Sequence, residues 1–155
     1  MAAPSKKINT GIVIKTGLLT GTLDIAIALI QYYSKTGKDP ANVLRFIAGA
    51  VFGSKAYAGG TGMAVAGLLF HFAIALVWTI IFFFLYPKIA LLQKNFIVSA
   101  IIYGVFIWAV MNFIVLPLSA LPALHSDLKQ SLTAIAILVI AFGIPLSLIS
   151  KRYFR

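Results

Sequence analysis

Residues 63–86 read MAVAGLLFHFAIALVWTIIFFFLY, and this run decides the fold. It contains no Asp, Glu, Lys or Arg, and Pro87 and Lys88 follow it directly. At 1.5 Å per residue a helix of this length reaches about 36 Å, enough to cross a hydrocarbon core of about 30 Å. Working outward, the same absence of charge holds from Lys55 to Lys88, from Lys94 to Asp127 and from Lys129 to Lys151. The chain is 61% hydrophobic and 10% charged, with a mean hydropathy of +1.03. A soluble domain is nearer 45–50% apolar and about 25% charged, so the pattern predicts an all-α integral membrane protein.

Four spans are expected, at about 8–33, 63–86, 95–116 and 127–150, within one membrane domain covering 1–155. Asn9 or Thr10 is a candidate cap for the first, and Tyr32 and Tyr33 suit an interface. After the hinge 34–38, Asp39 and Pro40 read as the N-cap and first residue of a further helix over about 40–53. In it Val43, Phe46, Ile47, Ala50 and Val51 share one face, and Asn42, Arg45 and Gly49 another. That helix is too short to span and is read as interfacial or re-entrant. Gly53, Gly59, Gly60 and Gly62 mark a loop after it. Pro117 and Pro122 are expected to break the third span. Ser126 is a candidate cap for the fourth, with Asp127 in its first turn and a kink at Pro145. The architecture is therefore a four-transmembrane-helix bundle with a short interfacial helix between helices 1 and 2.

The net charge of +10 invites a nucleic-acid reading, but the basic residues sit at span edges. Lys6, Lys7, Lys88, Lys94, Lys151, Arg152, Arg155 and, near the edge, Lys15 share one side. Lys35, Lys38, Arg45, Lys55 and Lys129 take the other. Eight against five predicts both termini in the cytoplasm, the bilayer as partner, and no nucleic acid. Lys15 and Asp24 interrupt the first apolar stretch, so it reads as a retained helix rather than a cleaved signal. The absence of cysteine excludes disulfides, thiolate catalysis and Cys-ligated clusters.

Asp24, one of three acidic residues, stands inside the first span. A carboxylate near the bilayer centre costs about 2.5–3.5 kcal/mol on insertion scales, so it faces a partner or a cavity. By helical rise, Asp24 lies about 13 Å below the outer end of its span, and His71 about 12 Å below the outer end of the second. Asn112 lies roughly 7–8 Å below the outer end of the third. Asp24, His71 and Asn112, with Thr20, are thus the candidate binding residues of one outer layer. Gly17 and Gly21 adjoin Asp24, Gly67 lies one turn before His71, and Gly104 lies two turns before Asn112; these are candidate helix-packing positions. The fourth span is expected to close the bundle or face lipid. His125 reads as a surface residue near Asp127.

Three functions fit. The first is a proton-linked or cation-handling transporter or channel protomer using Asp24 and His71, favoured because a buried carboxylate needs a reason. The second is a non-catalytic accessory subunit, held to a copy of itself or to a partner membrane protein by its glycine faces. The third is a membrane enzyme acting on lipid or quinone with His71 as base. A purely structural pairing, in which Asp24 and His71 neutralise one another, accounts for the same residues. Two candidate ligands are too few for a metal site, and His71 and His125 lie at unmatched depths for a haem. No cofactor is implied. Residues 108–119, WAVMNFIVLPLS, together with Gly67-Leu-Leu-Phe-His71, resemble segments of uncharacterised small bacterial inner-membrane proteins. The resemblance implies a bacterial inner-membrane location and carries no activity.

Overall fold

The computed structural model describes residues 8–122 and 127–154. Lys6, Lys7, His125, Ser126 and Arg155 lie outside the described residues. Four helices are long and apolar enough to cross a membrane: Thr10–Thr36, Gly60–Leu85, Phe96–Leu118 and Leu128–Tyr153. They are spans one to four below. A short apolar helix, Ala41–Phe52, lies between the first two. The chain is a multi-pass, all-helical membrane protein.

Local chemistry sets the helix ends. The Asn9 side chain accepts the Gly11 N–H at 2.7 Å and opens span one. Gly37 closes it in the left-handed region, φ 65°, with its N–H on the Tyr33 carbonyl. The Asp39 Oδ1 accepts the Ala41 N–H at 3.0 Å, and the short helix starts at Ala41 with Pro40 at its N-cap, one position after the expected start. In span four the cap is Asp127 itself, which accepts the Gln130 N–H at 2.7 Å. Asp127 therefore stands one position before the first turn in which the sequence put it.

Pro117 does not break its span as expected, and span four runs through Pro145, the position of the expected kink. Span three continues through Pro117 to Leu118, and span four through Pro145 to Tyr153. Each proline follows a π-helical turn, Met111–Val115 and Val139–Gly143. There the N–H groups of Leu116 and Ile144 reach back five residues, to the carbonyls of Met111 and Val139. Proline has no N–H to donate and its ring crowds the carbonyl one turn earlier. Widening that turn makes the room, so the ladder bulges instead of breaking.

Small residues bring the helices together. A Cβ on Gly67 would strike the Leu44 carbonyl of the short helix. That helix is docked on span two, with Ala48 fully buried. A Cβ on Gly104 would lie 2.9 Å from the Val139 nitrogen, and one on Gly143 would strike the Ala100 carbonyl. Spans three and four therefore touch backbone to backbone along the π turn of span four.

The two ends of the bundle differ. At the end carrying Lys88, Lys94 and Lys151, Phe82, Phe83, Tyr86, Tyr103, Phe142 and Leu146 form a buried cluster. The Tyr103 hydroxyl donates to the Trp78 carbonyl, and Tyr86 stacks on Phe154 at 5.7 Å. The Asn9 N–H donates to the Tyr153 hydroxyl at 3.0 Å, tying the start of span one to the end of span four. The opposite end carries Lys35, Lys38, Arg45 and Lys129, and there the helices part around cavities.

Candidate functional site: a carboxylate between two cavities

Asp24 forms part of the wall of two spaces. The first is a cleft of about 300 Å³ between spans one and four, lined by Asp24, Gln31, Lys35, Gln130 and Thr133 among others. In span one, Asp24, Ala28, Gln31 and Lys35 fall at i, i+4, i+7 and i+11, along a single helix face. Lys35 is exposed in the last turn, so the cleft runs from the helix ends down to the acid, about 16 Å by helical rise. The second space is a chamber of about 120 Å³ lined by Asp24, His71, Trp78, Ile107, Met111 and Leu138 among others. Its walls come from all four spans and, through Ile47, from the short helix.

The helix contacts place these groups. A Cβ on Gly17 would lie 2.6 Å from Leu76 Cδ2, and one on Gly21 would lie 3.0 Å from both Ala75 Cβ and Phe72 Cδ1. Absence of those side chains lets spans one and two close up at the level of the acid. His71, buried, then reaches across and its Nε2 meets the Gly21 carbonyl at 2.8 Å. A carbonyl only accepts, so this nitrogen carries the proton and donates. The same Nε2 is 4.0 Å from Asp24 Oδ2, which is too long for a hydrogen bond. The structure brings His71 and Asp24 into one chamber but commits the imidazole proton to the backbone. Among the described residues the Asp24 carboxylate accepts no hydrogen bond; its side chain is 21% exposed, facing the cavities.

Other sequence candidates lie elsewhere. Thr20 is fully buried and its hydroxyl donates to the Gly17 carbonyl at 3.2 Å. The Asn112 amide donates to the Trp108 carbonyl at 2.9 Å inside its own span. Its neighbour Met111, with Ile107 one turn earlier, reaches the chamber from span three. Asn112 itself stands within the π turn at 111–115 and does not line the chamber.

Sequence reasoning missed the contribution of span four. Gln130, Thr133, Ala134 and Ile137 line the cleft at i, i+3, i+4 and i+7. That small and polar stripe was readable, but nothing local aligned it with Asp24 rather than with water. At the mouth of the bundle, Arg45 bridges Asp39 at 3.2 Å and Asn42 at 2.9 Å and donates to the Gly60 carbonyl at 3.2 Å. This network fastens the short helix to the start of span two. The Ala41 N–H, and then Arg45, hold the Asp39 carboxyl below its ordinary range.

Fold and site define a four-span helical membrane protein with an acid reached from one end. Comparison with known proteins finds no matching family model, curated protein or solved structure. The functional reading therefore rests on geometry.

Proposed function

We propose that this protein is the protomer of a proton-linked or cation-handling carrier in the bacterial inner membrane, with Asp24 as the ion-binding group. The observation that supports this most is the Asp24 carboxylate, which accepts no hydrogen bond among the described residues and stands between a polar cleft and a second, smaller chamber. A structural acid would be expected to be tied up by donors, because leaving a carboxylate unpaired at that depth costs stability. Access from one end, with a ring-packed opposite end, is the arrangement of a carrier in one of two states rather than of an open pore. The bias of eight basic residues against five orients the packed end, and both termini, to the cytoplasm.

Two contacts favour the carrier reading over the accessory-subunit and enzyme alternatives. Gly17, Gly21, Gly67 and Gly104 each face a neighbour within the chain, so they are not spare faces for an accessory partner. The His71 nitrogen nearest the acid is a donor to Gly21, which does not suit a general base. At most a third of any span's apolar window is buried inside the chain, and the rest is available to lipid or to a second copy. A homo-oligomer is the assembly we propose.

The test uses the purified full chain in proteoliposomes carrying a pH-sensitive dye. With an imposed cation or proton gradient, wild type should give flux, Asp24→Asn background only, and Asp24→Glu partial flux. Flux unchanged in Asp24→Asn, at normal folding, would overturn the proposal.

A further inference from the structure

The chamber around Asp24 adjoins a third space. A groove of about 290 Å³ lies between the short helix and spans two and three, lined by Phe46, Ile47, Ala73, Ile74, Met111 and Val115 among others. Every residue lining it is apolar. Ile47, Ile74 and Met111 line both the groove and the chamber. Asp24 and Leu138 line both the chamber and the polar cleft. Three spaces thus run across the bundle in a fixed chemical order: hydrocarbon groove, acid-bearing chamber, polar cleft.

Met111 stands in the wall between groove and chamber. Met111 is unbranched, with three rotatable side-chain bonds, and sits at the first position of a π turn. Ala73 and Ile74 are exposed and line the groove, so its rim is open to the surroundings of the bundle. The groove alone would accept any acyl chain. The carboxylate selects among apolar molecules, because an anion that accepts no hydrogen bond in a low-dielectric chamber favours a positive charge.

We propose that the occupant of this path is an amphiphilic monocation. Its hydrocarbon part lies in the groove bounded by Phe46, Ala73 and Val115, and its cationic head lies at Asp24. This rests on the carrier reading of Asp24 and adds the substrate class. The molecule enters from the membrane through the groove, with Met111 moving aside, and its head meets water through the cleft lined by Gln31, Gln130 and Thr133. His71 offers the acid no direct hydrogen bond: its Nε2 meets the Gly21 carbonyl at 2.8 Å and stands 4.0 Å from Asp24 Oδ2.

The probe is radiolabelled decyltrimethylammonium, bound to the full-length protein in nanodiscs of zwitterionic lipid, with empty nanodiscs subtracted. Tetramethylammonium supplies the head without the tail, and decanol the tail without the charge. Decyltrimethylammonium should bind at least tenfold more tightly than either. Asp24→Asn and Ala73→Trp should each weaken it at least tenfold, the first by removing the charge and the second by filling the groove from its exposed rim. Ala73→Leu serves if the Trp variant fails to elute as a folded species. Binding that ignores both substitutions overturns the inference. So does a loss with Asp24→Asn that neither Ala73 variant shows, since the tail site would then be elsewhere. If Asp24→Asn abolishes proton flux while decyltrimethylammonium binding is untouched, the carrier reading stands and the substrate class falls. Binding that follows both substitutions in a protein without proton flux supports the substrate class against proton coupling.

Discussion

The two ends of this bundle are built from the same helices in opposite styles. At the end with Lys88 and Lys151, rings from spans two, three and four and from the last two described residues fill the space between the helices. Phe82 and Phe83 are wholly buried there. At the other end the helix faces carry Gln31, Lys35, Gln130 and Thr133, and a cleft reaches down to Asp24. Span one meets both regions. Its first half packs through Val13, Thr16, Gly17 and Thr20, while its second half exposes an acid to a cavity. Large flat side chains close the spaces between helices, whereas small and polar ones leave spaces that only a ligand or water can fill. One span can therefore be a structural wall over half its length and a binding surface over the rest.

The widest break in that contrast should come from Phe82→Ala. Removing a fully buried ring should destabilise the protein by about 3–5 kcal/mol, and it should also let ions leak past the packed end. Thermal unfolding in detergent and passive dye leak in proteoliposomes check both. A tight, stable variant would mean that the rings are not what closes this end.

Gly67→Val attacks the open end. The added side chain collides with the Leu44 carbonyl, so the short helix must lift. The expected cost is about 2–3 kcal/mol, with faster hydrogen exchange over 41–52 and little change over 96–110. Equal loosening of both segments would show that the two ends are not independent.

Smaller effects sharpen the picture. The hydroxyls of Ser99, Ser147 and Ser150 are buried without hydrogen-bond partners among the described residues. Ser147→Ala should thus be neutral or stabilising by up to about 1 kcal/mol. A loss of that size instead would mean that the hydroxyl holds a bond in the membrane.

Smallest is the response of the Asp39–Arg45 latch to acid. The Asp39 carboxyl is held below its ordinary value of 3.8, so its contribution is complete above that value and fades as pH falls through the lowered one. The hydrogen-exchange protection factor over 41–52, which corrects for the intrinsic pH dependence of exchange, should be flat from neutral pH to about 5, so that any rise in corrected exchange comes only in stronger acid. Asp39→Asn should abolish that rise. A rise centred near neutrality would point to another group.

Much of this was legible in order of residues. The uncharged runs, Asn9, the Asp39-Pro40 pair and the depth of Asp24 and His71 are read from position alone, and the four spans and short helix follow from them. The sequence also placed Asp24 and His71 at one depth, and the structure sets their nearest polar atoms 4.0 Å apart. It did not reveal that His71 would donate to Gly21, because a backbone carbonyl brought within reach by close helix contact leaves no mark in composition. Nor did it show that Pro117 and Pro145 would be accommodated by π turns, which rotate the residues before them and put Met111 rather than Asn112 at the chamber.

Spans, caps and the price of a carboxylate in hydrocarbon depend on a residue and its immediate neighbours, so an ordered string of side chains suffices for them. Cavities are what remains when helices have packed, and they depend on which faces meet and how closely. The meeting of span one with span four, the common walls at Asp24 and Met111, and the ring-filled opposite end belong to that second kind. Only tertiary packing settles them, because each arises from side chains that are far apart in the chain and share no local signal.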